Sequence, residues 1–194
     1  MEKRGLTNAL KAAGIRQNQG NYWSDEMRVG LIGTIRRVWA SRGVKVVQLR
    51  EYTYAWAYLN LAVNGVTGHL LWDWTENMKG VSIAPIVQSW ADHGVQSVVW
   101  DRARGHRGPA YDTVDVQRIE QPPYSPELNP AERVFQYLRD QIEGVVYGSI
   151  AKKKAAVERA LRCLASQPDR VKSIAGWHWI HDSLNNLTSP IHDP

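Results

Sequence analysis

From Tyr54 to Trp74 the chain alternates: Ala57, Leu59, Leu61 and Val63 recur at period two, Asn64-Gly65 follows, and Val66 to Trp74 runs back. Period two places successive side chains on opposite faces of a strand, and Asn-Gly suits a two-residue turn, so the pattern predicts an antiparallel hairpin. Past Gly80 the period becomes helical: Ile83, Ile86, Val87, Trp90 and Ala91 share a face, Ser82 can cap the start and Gly94 can stop the end. Val95 to Trp100 then reads as a buried strand with Asp101 at its C-terminal tip. Strand, helix and strand in this order predict a right-handed crossover and a sheet covered on at least one face.

Weaker patterns fill the rest. Residues 1–20 read as a short helix or linker, with Leu6, Ala9, Leu10 and Ala13 on one face. Asn21 to Glu26 and Val44 to Leu49 read as strands, and residues 102–128 as loop broken by short structure. Asn129-Pro130 predicts a helix with Asn129 as N-cap and Pro130 at its first position. Its apolar face carries Ala131, Phe135, Leu138 and Ile142; Glu132, Gln136, Arg139 and Glu143 lie on another face. A helix capped by Ser149 runs to about Ala165, burying Val157, Leu161 and Leu164 and exposing its lysines. Trp177, Trp179, Ile180 and Leu184 predict a further short helix, before a flexible tail over 188–194. The expected fold class is α/β, a mixed sheet with an antiparallel hairpin and parallel strands flanked by helices, as one domain over 21–187.

Composition narrows the function. With 194 residues, 43% hydrophobic, the chain can bury one core. The single Cys163 excludes an internal disulfide framework and any multi-cysteine zinc site, and reads as a buried inert thiol. No apolar run approaches the ~20 residues a membrane span needs, and no signal-like segment follows Met1, so a cytoplasmic location is expected. The net charge of +5 is uneven: Arg28, Arg36, Arg37, Arg42, Lys45 and Arg50 lie between Met27 and Arg50 without an acidic residue. Arg102, Arg104, His106 and Arg107 surround Asp101, and Lys152-Lys153-Lys154 makes a third cluster. Such patches suit a polyanion, because neutralising phosphates releases counterions; a solvated basic face is the plainer reading of the lysines.

Glycine-rich phosphate loops, Gly-x-Ser-x-Gly and His-Glu-x-x-His are absent, and the histidines show no zinc spacing, reading as ordinary surface or packed residues. What remains is carboxylates at the ends of ordered elements: Asp25 and Glu26, Asp101, and Glu132. Ligands gather at the C-terminal ends of parallel strands, and a few carboxylate oxygens can hold two Mg²⁺ or Mn²⁺ ions for phosphoryl chemistry. Glu132 has two local readings, a capping-box residue reaching back to Asn129 or a carboxylate placed for chemistry.

Pro122-Pro123-Tyr124-Ser125-Pro126-Glu127-Leu128-Asn129-Pro130-Ala131-Glu132 resembles the third acidic motif of the mariner-like DDE transposases, especially their bacterial insertion-sequence branch. Ser24-Asp25-Glu26-Met27-Arg28-Val29-Gly30-Leu31, with Arg36 to Gly43 beyond, is similar to the first motif, and Val98-Val99-Trp100-Asp101 with His106 to the second. The resemblance spans roughly 22–145 and implies an RNase H-like fold with a catalytic, metal-binding triad of Asp25, Asp101 and Glu132, supported by Glu26 and Asn129. It also implies DNA as partner, contacted by Arg28, Arg36, Arg37, Arg42, Arg102, Arg104 and Arg107, in a homodimer associated with the nucleoid. Two ions would promote attack of water on a phosphodiester and then of the freed 3′-hydroxyl on target DNA. Arg102 stands where the family usually has Asn, 30 residues separate Asp101 from Glu132, and no N-terminal helix-turn-helix precedes the first strand. The rivals are an RNase H-like nuclease without strand transfer and a non-catalytic DNA-binding relic.

Overall fold

The computed structural model describes residues 2–13, 15, 20–33, 39–47 and 49–185. A helix, α1 (Glu2–Ala12), precedes three strands, β1 (Asn21–Gly30), β2 (Trp56–Val63) and β3 (Leu70–Thr75). Helix α2 (Gly80–Ala91) leads to β4 (Ser97–Trp100) and β5 (Gln117–Glu120). Four helices follow: α3 (Ala131–Ile142), α4 (Ile150–Ala165), α5 (Pro168–Ala175) and α6 (His178–Asn185). The sheet runs β3-β2-β1-β4-β5. The first three strands pair antiparallel, whereas β4 pairs parallel to both β1 and β5.

Alternation along β1 sorts the two faces of the sheet. Trp23, Met27 and Val29 join a core with Leu6 and Leu10 of α1, Val134 and Phe135 of α3, and apolar residues of α4, α5 and α6. Tyr22 points the other way, into a second core with Ile83, Val87 and Trp90 of α2. The same period turns Asp25 toward the α3 side and Glu26 toward the α2 side. Leu6 and Leu10 are fully buried, so α1 packs as part of this layer rather than hanging off it as a linker.

Several expectations are corrected. β1 does not stop at Glu26; it continues to Gly30 because β2 pairs with it over Trp23–Gly30. Asp25 therefore lies within the strand rather than at its end. Val44–Leu49 forms no strand among its described residues: β1 already has β2 on one edge and β4 on the other, and Val44, Val46, Val47 and Leu49 are exposed. The hairpin turn is longer than two residues, since Asn64 N–H bonds the His69 carbonyl and Asn64 Oδ1 accepts from the Val66 and Thr67 N–H groups. Gly68 there has φ +76°, and a Cβ would strike the Pro168 carbonyl, so the loop seats directly against the start of α5. The edge strand β5, with charged Arg118 and Glu120, and α5 were not foreseen. Ser82 lies inside α2 and bonds Asn77 Oδ1, leaving Lys79 as N-cap. Cys163 is exposed, not buried. Among the lysines Lys153 is buried. The tail over 188–194 lies outside the described residues, and among those described no helix is long and apolar enough to cross a membrane.

Candidate active site

The parallel register brings the first two carboxylates together. Trp23 stands opposite Val99, so Asp25 and Asp101 each follow two residues further along neighbouring strands. Asp25 is held at both oxygens: Oδ1 accepts from the Glu26 N–H at 2.8 Å, and Oδ2 accepts from Asn129 Nδ2 at 3.2 Å. Burial pushes its pKa up to about 7; the Glu26 N–H opposes this, and the charges of Glu26, Glu132 and Asp101 add to it.

Asp101 is fixed by different means. Its Oδ1 accepts from the Ala103 N–H at 2.8 Å and faces His106 Nδ1, also at 2.8 Å. The other ring nitrogen of His106 lies 2.8 Å from Glu26 Oε2, and both side chains are almost fully buried. The imidazole stacks on Trp100, centroids 4.3 Å apart and planes 4° from parallel. Burial alone would lower the His106 pKa, but hydrogen bonds to Asp101 and Glu26 overcome it and raise the value to about 10. The bond from His106 holds Asp101 below the usual carboxylate range. Glu26, turned to the opposite face from Asp25, thus reaches the site through His106. Sequence reading missed this bridge, because spacing alone gave His106 no partner.

Glu132 is delivered by the rigid approach Gln121–Asn129. Pro126 to Leu128 form a single 3₁₀ turn, and Asn129 is 1% exposed. The capping-box alternative is not realised: the Asn129 N–H bonds the Pro126 carbonyl, while Asn129 Oδ1 itself accepts from the Ala131 N–H at 3.1 Å. Glu132 stays half-exposed in the first turn of α3, with Arg139 Nη1 3.9 Å away. It lines one cleft of about 510 Å³ together with Asp25, Asp101 and Arg102, floored by Gln121–Pro126. Tyr124 projects from that floor, 99% exposed, in the left-handed region at φ 57°. A non-glycine residue held there carries backbone strain, a condition that clusters at functional sites.

The cationic candidates are divided. Arg102 lines the cleft but is drawn back by Glu120, Nε to Oε2 at 3.3 Å, and Glu120 Oε1 also takes Arg107 through Nε and Nη2, both at 2.9 Å. Arg28 is exposed on β1 and sits 5.8 Å over the Trp56 ring, in a neighbouring cleft. Arg42 and Arg104 are exposed, away from any carboxylate partner among the described contacts. Arg36 and Arg37 lie outside the described residues.

Among the described residues no three His, Cys, Asp or Glu side chains stand close enough to form a finished metal cage. The donor chemistry nevertheless fits a hard divalent cation, because the cleft offers carboxylate oxygens and no sulfur. The raised Asp25 pKa, partly due to neighbouring negative charge, marks a repulsion that such a cation would relieve.

The family model described as DDE superfamily endonuclease matches residues 21–152. No curated protein matches the chain. Among solved structures, the Mos1 transposase paired-end complex with left transposon end superposes with a TM-score of 0.63 at 13% identity, covering 96% of this chain and 58% of that one. The Mos1 mariner paired end complex with Mn gives 0.62 at 12%, covering 96% and 59%. The Mos1 strand transfer complex gives 0.53 at 12%, covering 92% and 63%. The chain thus spans about three fifths of the length of those chains. The mixed sheet with flanking helices is the RNase H-like fold of these structures, as the sequence led one to expect.

Proposed function

This chain belongs to the DDE superfamily of endonucleases, and on that premise we propose that it is the catalytic domain of a DNA transposase whose triad is Asp25, Asp101 and Glu132. One observation carries the reading: carboxylates from the middle of β1, the tip of β4 and the first turn of α3 line a single cleft. Bound Mg²⁺ or Mn²⁺ at these three residues would supply the charge that activates an attacking oxygen and steadies the leaving one.

The chain's own residues set the frame for that chemistry. Asn129 orients Asp25, the Ala103 N–H and His106 orient Asp101, and the helix N-terminus favours the negative charge of Glu132. A DNA phosphate entering between them is attacked by water, the new P–O bond forming as the bond to the 3′-oxygen breaks and that oxygen takes up a proton. The freed 3′-hydroxyl then gives up its proton and attacks a target phosphate, whose bond to its own 3′-oxygen breaks as that oxygen takes up a proton, with no covalent protein intermediate. Arg28, Arg36, Arg37, Arg42, Arg102, Arg104 and Arg107 are the proposed phosphate contacts, in a homodimer that holds two element ends, with location at the nucleoid following from the substrate.

The test is cleavage and joining of duplex oligonucleotides with Mg²⁺ or Mn²⁺, comparing the chain with Asp25→Asn, Asp101→Asn and Glu132→Gln. The reading requires each substitution to abolish both steps. Cutting without joining would make the chain a nuclease. DNA binding indifferent to metal and to all three substitutions would make it a non-catalytic binder.

A further inference from the structure

We propose that His106 is a positioning residue, clamped between Glu26 and Asp101, that presents Asp101 to a divalent cation through one oxygen. The proposal rests on the reading of Asp101 as a metal-binding carboxylate.

The imidazole has little freedom. Its side chain is 1% exposed, its ring lies flat on Trp100, and Trp100 is itself buried in β4. Nε2 is spent on Glu26 Oε2 at 2.8 Å, and Nδ1 is spent wholly on Asp101, 2.8 Å from its Oδ1 and 3.2 Å from its backbone carbonyl oxygen. The Glu26 side chain is only 2% exposed, so it cannot leave without stranding a buried charge. The ring is therefore a rigid strut running from β1 to the tip of β4.

At the far end of that strut, Asp101 is half-exposed. Its Oδ1 already accepts from the Ala103 N–H and lies 2.8 Å from His106 Nδ1, so two nitrogens crowd that oxygen. Oδ2 is the oxygen left for a ligand. A carboxylate held this way presents a fixed single donor, which suits Mg²⁺ or Mn²⁺, whose shells keep several waters. Losing a group that orients a metal ligand typically costs about 10- to 100-fold in metal affinity.

Space filling against Trp100 is the competing role, and bond counting separates the two. An Asn amide nitrogen stands as many bonds from Cα as His Nδ1, so His106→Asn can still reach Asp101. A Gln amide nitrogen matches Nε2, so His106→Gln reaches Glu26 and leaves Asp101 loose. Both variants are made in a Glu26→Gln background, which removes the buried charge that either change would otherwise strand. Mn²⁺ binding is read directly from the free-ion electron paramagnetic resonance signal, with Asp101→Asn as a control.

Relative to Glu26→Gln alone, adding His106→Gln should weaken Mn²⁺ binding about 10- to 100-fold, while adding His106→Asn should stay within about threefold. Equal weakening by the two, or weakening by neither, overturns the positioning role if Asp101→Asn does weaken binding. If Asp101→Asn leaves Mn²⁺ binding unchanged, Asp101 is no ligand, and the underlying reading falls with the proposal.

Discussion

Asn129 donates to Asp25 Oδ2 across 3.2 Å, and so ties the strand carrying one carboxylate to the helix carrying another. The same amide donates to the Ser24 carbonyl at 3.0 Å, and its oxygen accepts from the Ala131 N–H. Asn129→Ala would strand several buried groups, at a cost of about 2–3 kcal/mol. Urea denaturation measures it as a lower midpoint at unchanged slope. A loss below about 0.5 kcal/mol, the range of an ordinary surface change, would show that the tie carries no weight.

Asp25 makes metal-free stability depend on pH. Burial raises its folded pKa from 3.8 to about 7, so across that window the folded state holds more protons than the unfolded chain. Stability contributed by this group is therefore lost as pH rises from about 4 to about 7. Asp25→Asn should flatten that part of the profile in denaturation experiments run with chelator. Parallel profiles for the two proteins would refute the shift.

His106 acts in the opposite range. Burial pulls its pKa down, but Asp101 and Glu26 raise it from 6.5 to about 10, so its contribution is complete below 6.5 and lost as pH climbs through 10. Thermal midpoints measured from neutral pH to beyond 10 should fall more steeply for the native chain than for Glu26→Gln/His106→Asn, which has no titrating ring. A native chain whose midpoint holds level across that range would contradict the double ion pair.

These groups mark how far the sequence could be read. The hairpin, α2, β4, α3 and α4 were legible from their period, and punctuation placed some of their ends. Ser149 does cap α4, and Gly94, at φ +84°, does end the turn after α2. Ser82, by contrast, falls inside α2, and α3 begins one residue later than expected, with Pro130 as its N-cap. The pairing of Asp25 with Asp101 was legible as strand-end carboxylates and through the motif resemblance but not as a register, which is a long-range property that no local pattern prints. β5 escaped because Gln117, Arg118 and Glu120 are exposed and only Ile119 is buried, leaving no alternation to see. The bridge from Glu26 to His106 joins residues 80 positions apart, and nothing near either one announces it.

Glu120 sets the cationic character of the cleft rim by holding Arg102 and Arg107 together. Arg102→Asn should weaken duplex binding and lower the salt dependence by about one phosphate contact. Glu120→Gln should free both guanidinium groups and tighten binding at low salt. Fluorescence anisotropy over a salt series checks both; identical slopes for all three proteins would remove Arg102 from the DNA surface.

Lys153 separates the lysine run into unlike parts. Its ammonium is buried, donates to the Gly30 carbonyl at 2.7 Å, and lies 3.7 Å from Glu143 Oε1 and 5.7 Å from the Tyr147 ring centre. It thus ties α4 to the end of β1, downstream of Asp25, and to the residue that ends α3. Lys153→Met keeps the length of the stem but leaves the mostly buried Glu143 without its cation, so a cost of about 3 kcal/mol is expected. Adding Glu143→Gln removes the stranded charge and should restore much of that loss, the sign of a coupled pair. Lys152→Met, at the exposed neighbour, should change stability by less than about 0.5 kcal/mol. Denaturation of the four proteins decides the matter: a Lys153→Met protein as stable as Lys152→Met would return the whole run to a solvated basic face.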